Sequence, residues 1–252
     1  MIPVLAVVVD RAHARFFEVG ETETVELTSL QSPAMRGGKF HSDRQGGPGW
    51  GEHAYHGRIR EEQRRHLAAV AERVAAFERE HPAADVVLAG PGGAAAALRR
   101  VLPPELDARV IGTAQLNPTE VTPAAVQRAA KRLRQAREGE AQRALVASVL
   151  EGLGTGRAEN GARAVLRALA NGQVRTLLLR ADVRGAGFRC GGSGRLVLSA
   201  ADCRGDGEAI PVPDIFRAAA DSARSQGAAI ATIDDPDVAR PIEGMAALLR
   251  WQ

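Results

Sequence analysis

Three short apolar runs open the chain. Residues 4–9, 14–19 and 24–28 are rich in β-branched and aromatic side chains or alternate with polar ones, and turn-like residues separate them. Runs of this kind joined by short turns are typical of neighbouring antiparallel strands. We therefore predict three strands at the start of a first domain.

A segment without hydrophobic periodicity comes next, followed by a strongly periodic one. Residues 33–57 hold seven glycines and predict a loop, and a loop of this length inside a compact domain is usually functional or disordered. From Arg58 to Glu80 an apolar side chain recurs every three or four positions, which predicts a helix with one apolar face. The apolar positions are Leu67, Val70, Val74 and Phe77.

The rest of the first half predicts a strand at 85–89, a helix at 94–102 and a strand at 109–112. The turn at 90–93, Gly-Pro-Gly-Gly, lacks the glycine spacing and the lysine of nucleotide-binding loops, so we interpret it as a structural turn.

The second half is richer in helix, and Asn117-Pro118 and Thr122-Pro123 mark the predicted domain boundary. Thr122 is a good helix cap and Pro123 suits the first helical position, so a long helix is predicted to about Leu150. The remaining order of elements predicts an α/β/α sandwich. The predicted elements are a helix at 160–170, a strand at 174–179, a glycine-rich stretch at 185–194, a strand at 196–198, a helix at 213–226 and a strand at 228–233. The predicted fold class is therefore α/β with two domains, 1–117 and 118–252.

Composition and charge narrow the class of protein. The 252 residues are 45% hydrophobic and 25% charged, an ordinary globular balance. No apolar run approaches the roughly 20 residues of a membrane span, so no membrane partner is expected. Cys190 and Cys203 are the two cysteines, and we expect reduced thiols in a cytoplasmic protein. The net charge of +3 equals that of residues 36–66 alone, which hold seven Lys/Arg and four acids.

That basic segment is the strongest functional signal. Its arginines would neutralise phosphates, its aromatic residues would stack on unpaired bases, and its glycines would let the backbone approach RNA closely. If the helix begins at Arg58, several arginines oppose its macrodipole, which a bound anion would explain. The alternative is a solvated loop on a charged helix. The predicted RNA-binding residues are Arg44, Trp50, Arg58, Arg60, Arg64 and Arg65.

No metal or cofactor is predicted. His53 and His56 have a spacing that suits two metal ligands, with His41 and His66 nearby, but the spacing fixes no third ligand. RNA contact or simple exposure is the preferred interpretation of these histidines. Two cysteines cannot fill a tetrahedral zinc site, and all six histidines lie in the first domain.

Three local patterns in order along the chain resemble the bacterial archaeo-eukaryotic release factors, relatives of release factors and Pelota. They are the hairpin of 8–17 (VVDRAHARFF), the stretch 161–178 (GARAVLRALANGQVRTLL) and the ending 243–251 (EGMAALLRW). The resemblance implies an RNase H-like central domain followed by a domain that resembles kink-turn-binding ribosomal proteins. It also implies partners: the ribosome, peptidyl-tRNA or rRNA, and a translational GTPase.

The sequence departs from the release factors in two ways. It starts at the central-domain hairpin, so we expect it to lack the N-terminal domain and with it codon reading. Where release factors carry Gly-Gly-Gln, it has Gln45-Gly46-Gly47 followed by proline. If these three residues are catalytic, the outcome is hydrolysis of the peptidyl-tRNA ester in termination or rescue. The alternatives are a non-catalytic ribosome-hibernation factor and an interaction module that has lost ribosome binding; the strand ends show no acidic cluster for a nuclease.

Overall fold

The computed structural model describes residues 4–32, 50–80 and 85–250, and it leaves out the side chains of 50–56 and 58. The chain forms two compact units, 1–137 and 138–252, which divide inside a long helix. The predicted domain boundary at 117/118 lies before that helix and stays a prediction. Within the described ranges, no helix has the length and apolar character needed to cross a membrane.

The first unit is built on a mixed five-stranded sheet of order β3-β2-β1-β4-β5. Its strands are β1 Val4–Val9, β2 His13–Val19, β3 Thr24–Gln31, β4 Asp85–Ala89 and β5 Val110–Ala114. Strands β1, β4 and β5 are parallel, whereas β2 is antiparallel to both β1 and β3. The three predicted opening strands are therefore confirmed.

Apolar layers cover both faces of this sheet. Strand β1 is buried along its whole length because alternate residues face opposite layers. Val7 and its face pack against the helices α1 (Trp50–Glu80) and α2 (Ala94–Arg99). Val8 and the opposite face pack with Val126 of α4 (Pro123–Leu153). A short helix, α3 (Pro104–Asp107), links α2 to β5.

Helix α1 starts earlier than the sequence predicted. It begins at Trp50, so the last eight residues of the predicted 33–57 loop are helical and residues 33–49 lie outside the described ranges. Extending a formed helix costs little per residue, and Glu52 and Ala54 have good helix propensity, so two glycines do not stop it. The predicted apolar face is confirmed, since Leu67, Val70, Val74 and Phe77 are buried.

The second unit is an α/β/α sandwich around a sheet of order β11-β7-β12-β6. Its elements are β6 Ala158–Asn160, α5 Ala162–Ala170, β7 Val174–Arg180, α6 Ile215–Ser225, β11 Ala229–Ile233, α7 Pro236–Ala239 and β12 Met245–Leu249. Leu177 lies on the face covered by α5 and α6. Leu178 lies on the opposite face with Val149 of α4 and Ala239 of α7. The predicted sandwich is confirmed.

A small antiparallel sheet, β10-β8-β9, occupies the predicted glycine-rich stretch and the residues after it. Its strands are β8 Gly187–Cys190, β9 Leu196–Val197 and β10 Ala209–Val212, with a 3-10 turn at Ala200–Cys203. Cys190 and Cys203 form a disulfide, so the prediction of reduced thiols is wrong for this structure. The β8–β9 hairpin and the turn bring their Cα atoms within 5.2 Å, a proximity that reasoning from cellular compartment could not reveal.

Candidate functional site

The basic segment of the first unit lies on α1, a helix fixed to the sheet by its buried stripe. Arg60, Arg64 and Arg65 are exposed on its solvent side. Because α1 begins at Trp50, these residues lie well past the first turn, where the macrodipole acts. The prediction that these arginines oppose the macrodipole is therefore wrong, and the case for RNA binding rests on their exposure and their charge.

Glu61 is shared by two of these arginines. Its Oε1 lies 2.8 Å from Nη2 of Arg64 and 3.0 Å from Nε of Arg65, whose side chains are 70% and 73% exposed. The Arg64 hydrogen bond, with help from Arg65, lowers the pKa of Glu61 to about 2. Exposed pairs of this kind are weak, so a phosphate can compete with Glu61 for either guanidinium.

The side chains of the other predicted site residues lie outside the part of the chain that the structure describes. Arg44, Gln45, Gly46 and Gly47 lie outside the described residues. Trp50 and Arg58 belong to α1, but their side chains are outside the description. Their roles stay predictions.

His66 was expected on the surface or at RNA, and the structure buries it to 2% exposure. Its Nδ1 lies 2.7 Å from Oγ of Ser32, the residue after β3. Burial lowers the pKa of His66, against the opposing effects of the His13 backbone and Asp10. The periodicity contained this signal, because His66 lies four residues before the buried Val70 and eight before Val74, on the apolar stripe.

Asp10 organises the turn after β1. Its Oδ1 accepts hydrogen bonds from the backbone N–H groups of Ala12 (2.8 Å) and His13 (2.7 Å). Burial acts to raise the pKa of Asp10, but these hydrogen bonds outweigh it and the pKa is lowered. Asp10 therefore stays ionised as a structural acceptor. Of the described residues, no group of three His, Cys, Asp or Glu is placed to hold a metal ion.

A cleft of about 430 Å³ adjoins this turn, at the carboxyl ends of the parallel strands β1 and β4. Asp10 and Arg11 line it on one side, and Gln63 of α1 brings the solvent face of that helix to its rim. The turn at 90–93 forms another wall. The structural interpretation of that turn fits, since a Cβ on Gly90 would lie 2.2 Å from the Val9 carbonyl oxygen.

Solved structures of other proteins share this fold at low sequence identity. Dom34 of S. cerevisiae, described as a translation termination-like factor that interacts with Hbs1, is 13% identical with a TM-score of 0.55. Ribosome-bound archaeal Pelota, in a structure with ABCE1, is 19% identical with a TM-score of 0.54. Each match covers 98% of this chain but 63% and 61% of the other, so this chain spans less than two thirds of their length.

No curated protein matches the chain significantly. A family model does match it, over residues 3–155, which include the whole described part of the first unit. That match exceeds half of the 252 residues, and the order of the two α/β units agrees with the shared folds. The chain therefore belongs to bacterial archaeo-eukaryotic release factor family 2.

Proposed function

We propose that this chain is a ribosome-directed translation factor whose first unit contacts RNA through α1 and the residues that precede it. The observation that carries the proposal is the exposed arginine set Arg60, Arg64 and Arg65 on a helix that packs its buried stripe against the sheet. Guanidinium groups suit phosphate because their planar forks donate two parallel hydrogen bonds. Membership of the release factor family supports RNA of the ribosome or of tRNA as the partner.

Two outcomes of such binding follow from the residues before α1. In the first, Gln45-Gly46-Gly47 positions water for hydrolysis of the peptidyl-tRNA ester. In the second, the same segment occupies an idle ribosome without catalysis. This chain has Gln-Gly-Gly where release factors have Gly-Gly-Gln, so an experiment on Gln45 has to decide between these two outcomes.

The neighbouring structures suggest further partners. Pelota was described on the ribosome with ABCE1, and Dom34 as interacting with Hbs1. By the same logic we propose that this chain works with a translational GTPase and acts in the cytoplasm.

Sedimentation with ribosomes across a salt series tests the proposal. Replacing Arg64 and Arg65 by alanine should weaken binding and reduce the slope of log affinity against log salt by about one to two, since fewer counterions are released. The matched control is R73A/R79A, which removes the same charge from two exposed arginines later in the same helix. Glu61→Gln should act in the opposite direction, because it frees both guanidinium groups.

The outcomes are separable. Equal loss in R64A/R65A and R73A/R79A would reduce the effect to net charge and refute a local RNA contact. If the unmodified protein shows no salt-sensitive binding to ribosomes, both outcomes are refuted, and the alternative of an interaction module that has lost ribosome binding is left. If the unmodified protein binds ribosomes, Gln45→Ala distinguishes the catalytic outcome from the occluding one. Loss of peptidyl-tRNA hydrolysis with intact ribosome binding supports a catalytic role for Gln45. Tight binding without hydrolysis by the unmodified protein supports occlusion.

A further inference from the structure

The second unit contains a basic cleft of its own. It has a volume of about 430 Å³ and lies where the end of α4 meets one end of the main sheet. Its lining residues are Ser148, Glu151, Gly152, Arg157, Arg175, Leu248, Leu249 and Arg250.

The sheet topology gathers its three arginines from distant parts of the sequence. Arg157 comes just before β6, Arg175 is the second residue of β7, and Arg250 follows β12. Strand β12 runs between β6 and β7 and is antiparallel to both, so its end meets their beginnings. Two hydrogen bonds fix the meeting point: Leu249 N–H donates to the Arg157 carbonyl (2.9 Å), and Arg250 N–H to the Gln173 carbonyl (2.8 Å).

These arginines keep their charge available. Arg157 Nε donates to Thr155 Oγ1 at 3.0 Å, and Arg250 Nη2 donates to the Gln226 carbonyl at 2.8 Å. Both acceptors are neutral, so they orient the guanidinium groups without cancelling their charge. Of the carboxylates that the structure describes, none forms an ion pair with Arg157, Arg175 or Arg250, in contrast to Arg224 and Arg240 elsewhere in the same unit.

The lining points to phosphate and to the backbone of a nucleic acid. The three arginines exceed the one acid of the described lining, Glu151, which leaves the cleft positive by two charges. Phosphodiester groups match the planar guanidinium forks of these lining arginines directly, because each fork can donate two parallel hydrogen bonds. A peptide with apolar side chains fits this cleft less well, because Leu248 and Leu249 are the large apolar residues among those lining residues.

We propose that the cleft formed by Arg157, Arg175 and Arg250 binds the phosphodiester backbone of ribosomal RNA, a second contact that rests on the proposed function. It would act independently of α1, because all three arginines belong to the second unit. Binding through backbone phosphates fixes position on RNA without reading its sequence.

The experiment compares two charge-matched double variants of the full chain. R175A/R250A removes two cleft arginines, and R224A/R240A removes two exposed arginines that pair with aspartates three residues earlier. Binding is measured with ribosomes and with protein-free ribosomal RNA across a salt series. R175A/R250A should bind both probes roughly tenfold more weakly and lower the salt slope by about one to two, while R224A/R240A stays near the unmodified protein.

Arg175→Lys keeps a positive charge at an exposed position, so it should retain the salt-dependent part of the binding and lose only what the paired guanidinium donors add. Equal binding by the two double variants would overturn the inference, while loss in R64A/R65A would still uphold the proposed function. Binding to protein-free RNA that depends on Arg175, without binding to ribosomes, would uphold the cleft and sink the proposed function. Saturation by inorganic phosphate at constant ionic strength, without RNA binding, would replace RNA by a small phosphate ligand.

Discussion

Breaking the Cys190–Cys203 disulfide should loosen the small sheet of the second unit far more than the rest of that unit. The bridge spans 13 positions and encloses β9 and most of the 3-10 turn. The sheet has little apolar packing of its own, because Leu196 is its buried aliphatic residue, with Val212 packed against the same core. The segment therefore depends on the cross-link more than on burial.

The expected size follows from the length of the closed loop. Constraining a loop of about 14 residues in the unfolded chain contributes about 3 kcal/mol in the chain-entropy model. Since about 1.4 kcal/mol corresponds to a factor of ten, reduction should increase the open population of this segment roughly 100-fold. The sandwich core contains neither cysteine side chain, so β7 and β12 should be much less affected.

Amide hydrogen exchange with and without a thiol reductant measures this directly. The amides of 187–212 should exchange about two orders of magnitude faster after reduction, with little change in β7 and β12. The variant C190A/C203A should resemble the reduced protein and ignore the reductant. Equal exchange before and after reduction would refute the reasoning, and so would two reactive thiols in the native protein without reductant.

Three further changes test the scaffold. Asp214→Ala removes a carboxylate that caps α6 through Phe216 N (3.1 Å) and Arg217 N (3.3 Å), and should lower the urea unfolding free energy by about 1 kcal/mol. Gly90→Ala places a Cβ 2.2 Å from the Val9 carbonyl and should cost about 2 kcal/mol; an unchanged Tm would contradict this. Burial lowers the pKa of His66, so the unfolded chain binds the proton first as pH falls through its ordinary value of about 6.5. Stability should therefore decline below that pH until the folded pKa is passed, and His66→Gln should flatten this part of the unfolding profile.

The sequence predicted well those features that depend on local periodicity. The apolar stripe of α1 and the β-branched or aromatic runs of β1 and β2 are local patterns, and they appear where expected. Thr122 and Pro123 marked the start of α4 because capping chemistry is also local. The start of α1 was missed because glycine content was weighed above the low cost of extending a formed helix.

Features that depend on pairing between distant segments could not be read from the pattern. Strand β12 was recognised only as a family-like ending, although it is an inner strand between β6 and β7. The cleft arginines Arg157, Arg175 and Arg250 come together only once that strand order is known. Of the predicted RNA-binding residues, the structure places Arg60, Arg64 and Arg65 on one exposed helix surface, whereas Gln45, Gly46 and Gly47 stay predictions.

The small sheet also bears on how this family can vary. Internal hydrogen bonds hold the segment between β8 and β10 together near the disulfide. Asp206 accepts a hydrogen bond from Ser193 Oγ at 2.6 Å and another from Arg195 Nε at 2.7 Å. A segment held by its own disulfide and hydrogen bonds can lengthen, shorten or change composition without forcing the sandwich to repack, provided that Leu196 and Val212 keep their places against its core. We expect insertions and deletions among relatives to concentrate between β8 and β10, which makes this segment a place where new specificity can evolve while the sandwich core is unchanged.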